Sequence, residues 1–122
     1  MEMLDPKEQA KQLAAQGASV ETGAVALEEN ISLSLTNSGG YIALNWSNSG
    51  AVGKYDYVAL YDQAPTDPLG YLYAQWQWIT KQNSPYVTGT TALGKPYWIA
   101  YCGYDYKSSK YKIDASAGPF NP

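Results

Sequence analysis

From residue 25 onward, clusters of turn-forming residues cut the chain into pieces too short for anything but strands. The clusters are Asn37-Ser-Gly-Gly40, Asn48-Ser-Gly50, Pro65 to Gly70, Asn83-Ser-Pro85, Gly94-Lys-Pro96 and Ser108-Ser109. Between them lie runs rich in β-branched and aromatic residues at 25–36, 41–47, 55–62, 71–79, 86–91, 96–105 and 110–116. Seven strands at this spacing predict an all-β, immunoglobulin-like β-sandwich. Gly53-Lys-Tyr-Asp-Tyr-Val-Ala-Leu-Tyr61 echoes Gly94-Lys-Pro-Tyr-Trp-Ile-Ala-Tyr101, as two central strands in one environment would.

The N-terminal part reads differently. Asp5 is placed to cap a helix over 5–16, Pro6 suits its first position, and Glu8 has capping-box spacing. Gly17 is placed to end it. The stripe of Ala10, Leu13 and Ala14 is thin, so such a short helix must dock on something. This divides the chain into a helix and linker over 1–24 and a sandwich domain over 25–122.

Composition narrows the chemistry. The 122 residues contain no histidine and one cysteine, Cys102. A Ser-His-Asp triad, a Cys-His dyad, an internal disulfide and a His-rich or Cys-rich zinc site are therefore excluded. All basic residues are lysines, so the bidentate arginine fork that reads phosphate and guanine is missing. Of the net charge of −3, residues 1–30 carry −4 and residues 31–122 carry +1. A nearly neutral body gives no steering field for nucleic acid. Lys107, Lys110 and Lys112 form one small basic cluster, as expected of a solvated strand edge. No apolar run is long enough for a transmembrane segment, and no signal-peptide pattern opens the chain, which favours the cytoplasm. No cofactor is implied. Asp62 and Asp67 flank a Pro-rich loop and suit turn-capping better than calcium binding. Asp105 and Asp114 would serve as a glycosidase pair only if a cleft brought them within roughly 5–10 Å.

The aromatic inventory is lopsided, with twelve tyrosines, four tryptophans and one phenylalanine. Each buried tyrosine needs a partner for its hydroxyl, so a surplus of them suggests a wet surface. Strand alternation separates the faces. In 71–79, Leu72, Ala74, Trp76 and Trp78 read as core, and Tyr71, Tyr73, Gln75 and Gln77 as the opposite side. Val58, Leu60, Ile99 and Tyr101 read as inward, with Tyr57, Ala59, Tyr61, Trp98, Ala100 and Cys102 outward. Tyr111 and Ile113 read as inward in the last strand. The candidate ligand-binding residues are thus Tyr57, Tyr61, Tyr71, Tyr73, Gln75, Gln77 and Trp98, on one bare sheet face.

Tyr55-Asp-Tyr-Val-Ala-Leu-Tyr61, Tyr73-Ala-Gln-Trp-Gln-Trp78, Pro96-Tyr-Trp-Ile-Ala-Tyr101 and the tail Gly118-Pro119-Phe120 form an outline. Over roughly residues 42–120 it resembles the SKICH domain. That resemblance implies an immunoglobulin-like sandwich used as a non-catalytic interaction module. The chain departs from the family in carrying more tyrosine and glutamine on one strand face.

The resulting expectation is a lectin-like binding protein, without catalysis, that recognises an uncharged glycan on the aromatic and amide face. The alternative is a protein-interaction or self-assembling toxin- or effector-type module, including a homo-oligomer, that uses the same face as an interface.

Overall fold

The computed structural model describes residues 4–15 and 28–122. Helix α1 spans Pro6–Ala15. It begins as the sequence requires: Asp5 Oδ1 accepts the Glu8 N–H at 2.8 Å. The expected C-terminal stop at Gly17, the linker and the first residues of the 25–36 run lie outside the described residues.

Among the described residues a 3-10 turn, Glu28–Asn30, leads into seven strands. They are β1 (Ile31–Ser38), β2 (Tyr41–Asn48), β3 (Tyr57–Tyr61), β4 (Trp76–Trp78), β5 (Tyr86–Thr91), β6 (Tyr97–Asp105) and β7 (Lys110–Phe120). Two antiparallel sheets form, ordered β1-β2-β5 and β4-β3-β6-β7. The fold is an all-β sandwich with a short N-terminal helix.

Gly39 and Gly40 make the β1–β2 turn possible, since both have positive φ, at 61° and 94°. Asn37 Oδ1 accepts the Gly40 N–H and closes that turn. The hairpin then pairs without a slip from Ile31↔Asn48 to Ser38↔Tyr41.

The space between the sheets is filled by Leu35, Ile42, Leu44, Val58, Leu60, Tyr97, Ile99, Tyr101 and Ala115. Val58, Leu60, Ile99 and Tyr101 therefore face inward as their alternation predicts. Their partners follow antiparallel register, Val58↔Tyr101 and Leu60↔Ile99.

A second apolar layer lies on the other side of the β4-β3-β6-β7 sheet. It comprises Tyr57, Ala59, Tyr61, Tyr71, Trp78, Ala100, Cys102 and Tyr111. Two local irregularities place residues here that simple alternation assigns to the inner core. Ala74 adopts a left-handed φ of 63°, within a turn closed by the Gln75 N–H to Leu72 C=O bond. Alternation therefore does not carry through 71–79. Leu72 packs on the inner core, whereas Trp76 and Trp78 pack on the outer layer. In β7 a register slip places Tyr101 opposite Ala115 but Cys102 opposite Ile113. The extra residue, Asp114, reverses the phase, so Tyr111 and Ile113 belong to the outer layer and Ala115 and Ala117 to the inner one.

Candidate functional site

The sheet face expected to be bare is mostly an interior. Tyr57, Tyr61 and Tyr71 are 0%, 2% and 9% exposed. Residues 62–75 turn back over them, and α1 adds Ala10 to the same layer. The Lys7 ammonium lies 5.3 Å from the centre of the Tyr71 ring. The phenols are the reason the cover stays down. Tyr57 and Tyr61 both donate to the Pro68 carbonyl, at 2.6 and 2.7 Å, which uses the oxygen's two lone pairs. Tyr111 donates to the Tyr55 carbonyl at 2.8 Å. Burial pushes the ionisation of Tyr57, Tyr61 and Tyr111 far above the ordinary phenol value, so all three are fixed as neutral donors. Cys102 is buried beside Tyr61, and burial lifts its thiol to about 12. It is an unreactive neutral thiol.

The rings meet edge to face. Tyr57 has its centroid 4.9 Å from Tyr111 and 6.0 Å from both Tyr71 and Trp78. The premise that this much tyrosine requires a wet surface is corrected here: the Tyr57 and Tyr61 hydroxyls find the Pro68 carbonyl of the covering segment, and the Tyr111 hydroxyl finds the Tyr55 carbonyl before β3.

The other expected ligand-binding residues are dispersed among different tasks. Tyr73 is 93% exposed on the turn before β4. Trp98 is half-buried against the outer layer, opposite Tyr61, and a Cβ on Gly118 would lie 2.5 Å from its Cδ1. The glutamines stitch the sandwich edge. Gln75 Oε1 accepts the Gly89 N–H of β5 at 2.7 Å, and its Nε2 donates to the Tyr73 carbonyl at 2.9 Å. Gln77 Oε1 accepts the Trp78 N–H, its Nε2 donates to Gln82 Oε1, and Gln82 reaches the Pro85 carbonyl. Gln75→Ala is expected to cost about 1 kcal/mol, because an amide of an edge strand loses its acceptor. Amide exchange at Gly89 should accelerate; unchanged exchange there would show that this stitch carries no weight.

The acidic residues also have local roles. Asp67 Oδ1 accepts the Leu69 N–H, the turn cap its loop position suggests. Asp105 caps the β6–β7 turn through the Lys107 N–H and the Ser108 hydroxyl, and the Lys107 N–H holds its carboxyl below the usual range. Asp114 points elsewhere, toward Asp56 beneath Gly103. Lys107, Lys110 and Lys112 are exposed around the same hairpin, as a solvated edge would be.

The open uncharged surface lies on the opposite sheet. β1, β2 and β5 contain no charged residue. While Leu35 and Leu44 point into the core, Ser32 and Ser34 stand outward opposite Ser47 and Asn45. A groove of about 310 Å³ is lined by Ser32, Ser34, Asn45, Ser47 and Ser84, with Leu33 and Trp46 at its base. Asn45 Nδ2 donates to Thr36 Oγ1 at 3.0 Å, which fixes the amide across the hairpin. Ser84 Oγ accepts the Trp46 N–H at 2.9 Å, just before β5 begins. On the same face Tyr41 is 48% and Val87 43% exposed. This groove carries no aromatic row, so the aromatic pattern that singles out the opposite sheet does not mark it. The available signal was the uncharged Ser-Leu-Ser-Leu-Thr-Asn-Ser run over 32–38.

Among the described residues no helix is long and apolar enough to cross a membrane, and no cluster of three metal-ligating side chains occurs. The chain matches no family model, no curated protein and no solved structure.

Proposed function

We propose that the protein is a non-catalytic, lectin-like binding module whose ligand is an uncharged glycan seated on the outward face of β1, β2 and β5. The observation that carries this reading is the hydroxyl- and amide-lined groove between Ser32, Ser34, Asn45, Ser47 and Ser84. A sugar presents alternating hydroxyl donors and acceptors, and serine hydroxyls can answer either. Asn45 spends its amide nitrogen on Thr36 and on the Ser34 and Ala43 carbonyls, which leaves its side-chain oxygen as the acceptor for a ligand hydroxyl. Neutral ligands suit the site because three adjacent strands carry no charge to desolvate. The SKICH-like outline over residues 42–120 points in the same direction, toward an interaction module rather than an enzyme.

The test is an NMR titration with neutral oligosaccharides built from glucose, mannose, galactose and N-acetylglucosamine. Amide shifts are expected at Ser32, Ser34, Asn45 and Ser47, with one of these series binding. Asn45→Ala should weaken that binding about tenfold, the loss of one well-placed hydrogen bond in a dry contact. No shift with any sugar, or shifts confined to Tyr73 and Trp98, would remove this site. A protein surface or a second copy of the chain is the other reading, favoured by exposed Tyr41 and Val87 on the same face. Concentration-dependent sedimentation with no sugar response would select it.

A further inference from the structure

The bulge in β7 does more than reverse the phase of that strand. Asp114, its extra residue, turns its carboxylate toward Gly103 of β6. A Cβ on Gly103 would lie 2.5 Å from Asp114 Oδ2 and 3.1 Å from Asp56 Oδ1. Two carboxylates therefore converge on the space that only a glycine leaves open. Asp56 is 4% exposed, and the Asp114 side chain is 5% exposed.

Their surroundings differ. Asp56 Oδ2 accepts the Gly53 N–H at 2.8 Å and the Tyr101 hydroxyl at 2.6 Å. Tyr101 is aimed in turn by Asn48, whose Nδ2 donates to the phenol oxygen at 3.1 Å. Asp56 is thus held by two donors inside the fold. Asp114 faces one cation, Lys112, at 3.8 Å, and that lysine is half in solvent. Burial pushes the Asp114 carboxyl up to about 6, against the pull of Lys112, and the charges of Asp56 and Asp105 add to the rise. Tyr101 and Cys102, on the facing strand, are both kept neutral by burial. Asp105 is held ionised in its exposed turn.

We infer that the Asp56–Asp114 pair beneath Gly103 is a proton-operated latch on β7. With a proton on Asp114 the bulge is seated against Gly103. When that proton leaves, a second negative charge forms beside Asp56 and the Lys110–Asp114 half of β7 loosens. That half carries Tyr111 and Ile113, so its opening uncovers one side of the outer aromatic layer. The sign follows from linkage. A carboxyl whose folded value is raised binds its proton more tightly in the folded state. Its contribution is complete below the ordinary 3.8 and is lost as pH rises through about 6. The fold is tightest in mildly acidic surroundings, independently of what occupies the β1–β2 groove.

Hydrogen exchange of the full chain at about pH 5 and about pH 7.5, corrected for intrinsic rates, tests the latch. Protection of the β7 amides over 110–114 is expected to fall about tenfold at the higher pH, while that of β2 is unchanged. Asp114→Asn should keep β7 protected at both values. Asp105→Asn should leave the wild-type difference in place. In the unmodified protein, carboxyl NMR should show Asp114 titrating near 6. Equal β7 protection at both pH values, a difference that survives Asp114→Asn, or an ordinary Asp114 titration would each overturn the inference.

Discussion

Tyr57→Ala is expected to cost about 4 kcal/mol, against a total stability of roughly 5–15 kcal/mol for a domain of this size. Tyr57 is fully buried and its ring meets Tyr71, Trp78 and Tyr111 edge to face. Removing it opens a ring-sized hole in the outer layer and takes away one of two hydroxyls on the Pro68 carbonyl. Tyr57→Phe separates the two contributions. The ring remains and Tyr61 still satisfies Pro68, so the loss should be nearer 1 kcal/mol. Urea denaturation of both variants measures this directly. Should Tyr57→Ala lose no more than Tyr57→Phe, the outer layer is a loose cover and not a second core.

Asp56→Ala should be nearly as damaging, at about 3 kcal/mol. The substitution strands the Gly53 N–H and the Tyr101 hydroxyl, both of which end on Asp56 Oδ2 in a buried site. Asp56 ties the segment before β3 to β6 and, through Tyr101 and Asn48, to β2 in the other sheet. One compensation is built in: Asp114 loses the like charge that helps raise its carboxyl. Thermal unfolding should therefore show a large drop in Tm together with a flatter pH dependence between about 4 and 7. A drop in Tm smaller than that caused by Gln75→Ala would show that Asp56 organises nothing beyond its own loop.

These two sites show how buried polarity shapes the fold. Tyrosine is a poor choice for filling a core unless each hydroxyl meets an acceptor. For Tyr57, Tyr61 and Tyr111 the acceptors are the backbone carbonyls of Pro68 and Tyr55, and for Tyr101 the Asp56 carboxylate. The rings supply the burial and the hydroxyls fix where the covering loop lies. A chain with one phenylalanine and twelve tyrosines thereby obtains two apolar layers and a specified loop path from the same side chains.

Much of this molecule is local and was legible as such. Turn residues set the lengths of the strands, and Asp5-Pro6 set the start of α1, because those effects act within a few residues. The inner faces of β3 and β6 followed from alternation, since both strands are regular from end to end. What the residues could not convey on their own was the fate of the outer face. Whether Tyr57, Tyr61 and Tyr71 are bare or covered depends on residues 62–75 folding back, and that is decided by bonds between positions 7 and 11 residues apart. The phases of β4 and β7 depend on a left-handed residue at Ala74 and a bulge at Asp114, neither of which alternation can express. Tertiary packing chose between those states because the Tyr57, Tyr61 and Tyr111 hydroxyls and the Asp56 carboxylate meet their partners only after segments apart in the chain come together.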